Sequence, residues 1–359
     1  MADISEQITS IEKEIRETPY HKGTEHHIGL LRARIARLKD KMVSTESRKS
    51  GGGGGYGVKK QGDATLILIG PPSAGKSTLI NKLTNAESKV APYAFTTVSV
   101  IPGMLKYKES YIQILDVPGL IEGAQEGKGR GKEVLSVARS SDLIIFMTDP
   151  KRLDFFKKLV RELEAAGMRI NKEKPKVRVD KKISGGLLVH SNIKQELDKA
   201  TIKDVASEFG VKNGEITINE KLTLDRLIDA FAKNRVYVKA IYVVNKADLL
   251  KKSDREKLDP RILQISADKG KGIEELKEKV WEKLDFVTVY LVNTNEEPSL
   301  NNPMVIKNKI TLKNLGEKIG SEFIEGKISA KIWGPGAKFP AQEVSLSTKV
   351  QEGMQVRFV

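Results

Sequence analysis

Three features of the chain predict an α/β fold. First, the apolar runs Thr65–Ile69, Ile112–Leu115, Leu143–Met147 and Ala240–Val244 are short and continuous and end in polar loops, as strands covered on both faces do. Second, the first run passes through a glycine-rich loop into a segment where Leu79, Ile80 and Leu83 recur at helical spacing, a strand, loop and helix succession. Third, after a helical pattern over Ile273–Leu284 the chain changes to short strands with one amphipathic stripe.

In chain order, Ile4, Ile8, Ile11 and Ile15 mark one amphipathic helix and Ile28, Leu31, Ile35, Leu38 and Met42 a second, with Pro19 and Gly23 breaking the run between them. Two such helices cannot bury a core alone, so they are expected to pack on each other and on a partner or the α/β domain. Gly51–Gly55 sits in a polar stretch that reads as a flexible linker. Residues 1–62 are thus helices and linker, and 63–167 the first part of the α/β domain. The strand after Leu143–Met147 does not appear until Val236–Val244, far beyond the reach of a crossover helix. Strand-like Gly185–Val189 and Glu215–Ile218, with helical Ile202–Phe209 and Leu222–Phe231, make residues 168–235 a small α+β insertion. The α/β domain resumes over 236–286. Residues 287–359 hold strand candidates Met304–Ile306, Ile328–Ile332, Val344 and Met354–Val359, and a helix carrying Leu312, Leu315, Ile319 and Phe323. Their order is compatible with a β-grasp.

The loop Gly70-Pro71-Pro72-Ser73-Ala74-Gly75-Lys76-Ser77 is a complete phosphate-binding loop. Ser73, Ala74, Gly75, Lys76, Ser77 and Thr78 are its candidate contacts: backbone N–H groups and the following helix N-terminus surround the phosphates, Lys76 reaches the β- and γ-phosphates, and Ser77 ligates Mg²⁺. Asn245-Lys246-Ala247-Asp248 follows a strand, where open α/β sheets bind ligands. Asp248 suits the guanine N1–H and 2-amino group, which adenine lacks, so the pair of motifs predicts a GTP site. Asp116, in Asp116-Val117-Pro118-Gly119, is placed to hold a water on Mg²⁺, and the Gly119 N–H to meet the γ-phosphate. Thr97 is the expected switch ligand to Mg²⁺. Ser266 and Ala267 follow another strand, where the Ala267 N–H is expected to meet guanine O6.

The composition sets further limits. The chain has no cysteine, which excludes a disulfide framework and thiolate metal sites, and its four histidines are too scattered for a zinc cluster. No apolar run approaches the ~18 residues of a membrane span and the charged N-terminus has no signal-peptide core, so no membrane is implied and the cytoplasm is the expected compartment. A net charge of +15 favours an anionic partner. From Lys151 to Lys182 there are 12 basic against 5 acidic residues. Arg169, Lys172, Lys174, Lys176 and Arg178 are then either RNA phosphate contacts or a solvated face, and lysine-rich heat adaptation would give the same excess. Aromatic residues are too few for base stacking, and nothing implies DNA specificity.

Tyr93-Ala94-Phe95-Thr96-Thr97, Asp116-Val117-Pro118-Gly119-Leu120-Ile121-Glu122-Gly123-Ala124 and Gly127-Lys128-Gly129-Arg130-Gly131 resemble the Obg-type GTPases. Thr24-Glu25-His26-His27-Ile28-Gly29-Leu30-Leu31 and Gly51–Gly55 point within that group to the developmentally regulated GTP-binding proteins, the Drg branch. The resemblance spans nearly the whole chain and is most specific over residues 24–149. It implies a P-loop GTPase domain with an N-terminal helical hairpin, an inserted α+β domain and a C-terminal β-grasp (TGS) domain. It also implies hydrolysis of GTP to GDP and phosphate, work with the ribosome or ribosomal RNA in translation, and a Drg-family regulatory protein as partner. Leu120 stands where Ras-like proteins carry the glutamine that orients the attacking water, so hydrolysis is expected to be slow without help. In some related GTPases a phosphate-loop asparagine positions K⁺; Ser73 at that position leaves K⁺ use open. The alternative is a GTP-controlled RNA-binding module in which hydrolysis is incidental.

Overall fold

A computed structural model of the protein describes residues 4–19, 21, 23–49, 60–84, 101–117 and 131–359. The elements in order are α1 (Ile4–Glu17), α2 (Glu25–Lys49), β1 (Ala64–Ile69), α3 (Lys76–Leu83), β2 (Ile101–Tyr107), β3 (Ser110–Asp116), α4 (Gly131–Ser140), β4 (Leu143–Thr148) and α5 (Asp154–Ala165). There follow β5 (Met168–Ile170), β6 (Val177–Lys181), β7 (Leu187–Ser191), α6 (Lys199–Glu208), β8 (Gly214–Ile218), α7 (Leu224–Phe231), β9 (Val236–Val244), α8 (Lys252–Glu256), β10 (Ile262–Gln264) and α9 (Ile273–Leu284). The chain ends with β11 (Phe286–Leu291), β12 (Pro303–Lys307), α10 (Leu312–Ile319), α11 (Ser321–Ile324), β13 (Ser329–Trp333), β14 (Gln342–Ser345) and β15 (Gln355–Phe358). Two compact units result, Met1–Gly55 with Gly167–Tyr237, and Tyr56–Ala166 with Val238–Val359.

In the second unit the main sheet runs β10-β9-β4-β1-β3-β2. All pairs along it are parallel except β2 with β3. Every residue of β1 and β4 is buried, which is why both read as unbroken apolar runs. Pairing of Ile144 with Ala240 and Phe146 with Tyr242 makes neighbours of strands far apart in sequence. Parallel strands align the carboxyl ends of β1, β4, β9 and β10, and the loops leaving them supply the site described below.

The C-terminal segment of this unit forms a five-stranded sheet, β12-β11-β15-β13-β14. Leu312 and Leu315 of α10 enter a core with Val289, Ile306, Ile332 and Val356. A capping box between Thr311 and Asn314 starts that helix. Phe286 and Val305 share the core of the main sheet with Trp281 and Leu284. Lys307 pairs with Asp142 at 2.8 Å and Lys318 with Asp63 at 3.2 Å.

In the first unit a sheet of order β6-β8-β7 packs with α6 and α7 around Val205, Ile216, Ile218 and Leu227. The second N-terminal helix packs here, on the inserted segment. Ala33 and Ala36 enter its core, and a Cβ on Gly29 would stand 3.0 Å from Leu224. Arg34 and Arg37 bind Glu208, while His26 bonds Thr201 at 2.8 Å. The small residues along this face admit close helix approach. By contrast α1 buries no residue and is tied to α2 through His27 and Glu14 at 2.9 Å.

Arg169 fits neither alternative expected of the basic stretch, a phosphate contact or a solvated face. Its guanidinium grips both oxygens of Asp229 at 2.5 and 2.6 Å, Arg235 joins the same carboxylate at 2.7 Å, and all three side chains are nearly buried. A buried carboxylate demands such partners, so Arg169 serves the insertion's interior.

Candidate nucleotide site

The phosphate loop leaves β1 at Gly70, where a side chain would strike the Met147 carbonyl at 2.1 Å from its Cβ. Pro71–Ala74 is a β-turn closed by the Ala74 N–H on the Pro71 carbonyl at 3.3 Å, with Ser73 at φ 62°. Gly75, at φ 93°, precedes α3, and a Cβ there would lie 2.4 Å from Asn245 Nδ2. Only glycine combines that backbone with that clearance. Lys76 folds back so that Nζ donates to the carbonyls of Gly70 at 3.0 Å and Pro71 at 3.3 Å.

Across the loop, β3 delivers Asp116. Its Oδ2 accepts from the Ser77 hydroxyl at 3.4 Å, while its buried Oδ1 has no partner among the described residues. Burial pushes the Asp116 carboxyl up, against the Lys76 charge and the Ser77 hydrogen bond. A buried carboxylate with an open oxygen beside a serine hydroxyl is the donor set a hard, oxygen-seeking dication requires. Thr78 is exposed on the first turn of α3. Thr97 and Gly119 lie outside the described residues.

The segments expected to read the base come from the ends of β9 and β10. Asn245, almost fully buried, donates from Nδ2 to the Ala74 carbonyl at 2.8 Å and accepts at Oδ1 from the Ala267 N–H at 2.9 Å. One amide thereby joins the phosphate loop to both base segments. The Ala267 N–H it engages is the one expected at guanine O6. Lys246, at φ 59°, donates to the Ser73 carbonyl at 2.9 Å. Asp248 pairs with Lys269 at 2.8 Å, and the Lys269 and Ser266 hydrogen bonds bring its carboxyl down to about 2. It therefore remains an anion through the whole neutral range.

Three contributors escaped the motif reading: Asp149, Arg152 and Lys269. Asp149 and Arg152 follow the end of β4, the strand beside β1, and Arg152 Nη2 donates to the Pro72 carbonyl at 3.0 Å. Their position just past a parallel strand's carboxyl end is the one signal that would have marked them.

Asn245→Ala strips the Ala74 carbonyl and the Ala267 N–H of their partners, both in residues of zero exposure. At about 1–3 kcal/mol for each buried group left unpaired, the expected cost is roughly 2–6 kcal/mol, seen as a lower melting temperature and weaker nucleotide binding. Calorimetry of the nucleotide-free variant checks it, and an unchanged melting temperature would remove the linking role.

The sequence is similar to those of known proteins. A family model described as 50S ribosome-binding GTPase matches residues 65–182, and one for the C-terminal region of the same domain matches 184–286. An uncharacterised GTP-binding protein of Methanocaldococcus jannaschii is 43% identical over 358 residues, covering 98% of this chain and 91% of its own. Developmentally-regulated G-protein 3 of Arabidopsis thaliana is 37% identical over 366 residues, covering 100% of this chain and 99% of its own. For developmentally-regulated GTP-binding protein 1 of Xenopus laevis the identity is 39% over 350 residues, 94% of each chain. With likeness of that degree sustained from end to end, the chain belongs to the developmentally regulated GTP-binding protein (Drg) family.

Proposed function

We propose that this protein is an Obg-type, Mg²⁺-dependent GTPase that hydrolyses GTP to GDP and phosphate slowly by itself and acts with ribosomal RNA in translation. The observation that carries the reading is the Asn245 amide, which couples a phosphate loop to a guanine-reading segment through Ala74 and Ala267. Loop N–H groups and Lys76 bind and orient the phosphates; Asp248 selects the base. Ser77, Thr97 and, through water, Asp116 would hold Mg²⁺, which supplies charge neutralisation at the β- and γ-phosphate oxygens. K⁺ is a further candidate near Ser73, whose hydroxyl replaces the asparagine of other cation-assisted loops.

The flanking parts are read as attachment devices. α1 and α2 form the helical hairpin of the family, residues 168–235 its inserted α+β domain, and the five-stranded C-terminal sheet with α10 its β-grasp, or TGS, domain. A Drg-family regulatory protein is the expected protein partner and the cytoplasm the expected compartment. Among the described residues no helix is long and apolar enough to cross a membrane. Lys174, Lys176 and Arg178 are exposed on and before β6, an arrangement suited to phosphate contact. If they meet ribosomal RNA, Lys174→Ala and Lys176→Ala will each reduce the log–log salt slope of binding by about 0.7–0.9. Arg178, already paired with Asp180 at 2.9 Å, will contribute less. Filter binding over a salt series reads this out, and unchanged slopes would return the stretch to a solvated face.

Leu120 in place of a water-orienting glutamine favours a second reading, a GTP-controlled ribosome-binding module with incidental hydrolysis. Turnover measured with and without ribosomes separates the two. The enzyme reading expects phosphate release that rises on ribosome addition. Tight GTP binding with no release in either condition would leave the module.

A further inference from the structure

A loop that cradles phosphate must turn its N–H groups toward the anion, and its carbonyls must therefore find donors elsewhere. Here five successive carbonyls have them. Those of Gly70 and Pro71 accept from Lys76, that of Pro72 from Arg152, that of Ser73 from Lys246 and that of Ala74 from Asn245. Four of these donors' five contacts come from the two recognised motifs; Arg152 alone belongs to neither.

The Pro72 carbonyl is the one whose direction the chain does not set by itself. In the turn Pro71–Ala74, Pro72 occupies the second position and Ser73 the third, and the positive φ of Ser73 makes it a turn of the kind that prefers glycine there. The ordinary alternative keeps φ negative at the third position and rotates the Pro72–Ser73 peptide by about half a turn, exchanging the directions of the Pro72 carbonyl and the Ser73 N–H. Serine favours that alternative, because its Cβ disfavours the left-handed region. Something outside the turn must hold the peptide over.

Arg152 is built to do so. Its Nε lies 2.8 Å from Asp149 Oδ2, its Nη2 reaches the same oxygen, and that same Nη2 donates to the Pro72 carbonyl at 3.0 Å. The supporting turn is fixed in its own right: the Arg152 N–H bonds the Asp149 carbonyl at 3.1 Å, and the Arg152 carbonyl accepts from the Thr148 hydroxyl at 3.2 Å. Asp149 also takes the Lys151 N–H at 3.0 Å. Despite burial, which pushes it up, the Asp149 carboxyl is held below its usual range by Arg152, the Lys151 N–H and Lys246, so the clamp is ionised at neutral pH.

We propose that the Asp149–Arg152 pair is a positioning device that holds the Pro72–Ser73 peptide in the glycine-preferring orientation and so aims the Ser73 N–H at the nucleotide phosphates. This rests on the reading of the loop as a nucleotide site, which GDP binding by the unaltered protein tests first and separately.

The test is a double-mutant cycle on GDP affinity, read by titration with a fluorescent GDP analogue, in the full chain. Arg152→Ala should weaken binding at least 10-fold. In a Ser73→Gly background, where positive φ carries no penalty, the same Arg152→Ala change should cost less than about 3-fold. Asp149→Asn should reproduce part of the Arg152→Ala loss. Melting temperatures of the four proteins of the cycle report folding, and the comparison within the glycine background keeps the idea testable if Arg152→Ala is also less stable. Equal losses in the serine and glycine backgrounds would overturn the proposal, since Arg152 would then act as a charge or a general support. So would undiminished GDP affinity in Arg152→Ala.

Discussion

Lys76→Ala is expected to weaken GTP binding by roughly 10²–10⁴-fold, the equivalent of two charge-assisted contacts at about 1.5–3 kcal/mol each. The ammonium sits at the first residue of α3, where the helix dipole and the loop N–H groups already favour an anion. Its Nζ donates to the Gly70 and Pro71 carbonyls, which hold the ammonium within the loop and lower the ordering cost of its phosphate contacts. Its removal also takes away the main charge opposing burial at Asp116, which rises further from its ordinary range and becomes a poorer partner for Mg²⁺. Both effects point the same way. Titration with a fluorescent GTP analogue, at fixed Mg²⁺, measures the loss; normal binding and turnover in Lys76→Ala would refute the phosphate-loop assignment.

The parts of the site that sequence revealed are those where one residue type at one spacing has one physical use. Gly75 must be glycine because its φ is 93° and Asn245 stands against it, so the loop announces itself. The coupling between loop and base segments was hidden, because a hydrogen bond between Asn245 and Ala74 spans 171 positions and leaves no local pattern. Asp149 and Arg152 were hidden for the same reason: a carboxylate and a guanidinium after a strand are ordinary turn residues until the Pro72 carbonyl is seen beside them.

Fold legibility followed burial. Strands β1, β3, β4 and β9 stand out as apolar runs because neighbouring elements cover them. In β6 the half-buried Val177 and Val179 alternate with exposed Arg178 and Asp180, and in a basic stretch the charges obscure a period of two. β11 is apolar except for the buried Thr288, yet it follows α9 with only Asp285 between them, at φ 57°, so the change of period has almost no turn signal to mark it. The docking of α2 onto the insertion depends on Gly29, Ala33 and Ala36, small residues that a search for large apolar side chains passes over.

Asp248→Asn is expected to reverse the base preference. The carboxylate lies on a 3-10 turn over Ala247–Leu249 whose entry is fixed by the left-handed Lys246, and the Ala247 N–H on the Ile265 carbonyl ties that turn to the end of β10. Held on this support, two oxygens accept from the guanine N1–H and 2-amino group, worth about 1.5–3 kcal/mol each when the acceptor is charged; asparagine loses the acceptor for the 2-amino group, so GTP should weaken roughly 10–10²-fold. Asparagine presents one donor and one acceptor instead, a match for the 2-oxo group and N1–H of xanthine. XTP should therefore bind the variant more tightly than GTP does. Lys269 sharpens the contrast, because the substitution leaves its ammonium without the anion it now pairs with at 2.8 Å and free to attract the xanthine oxygen. Competition among GTP, XTP and ATP is the measurement. A variant that still prefers GTP to XTP would show that Asp248 does not read the base, and equal GTP and ATP affinity in the unaltered protein would take the guanine assignment away from this segment altogether.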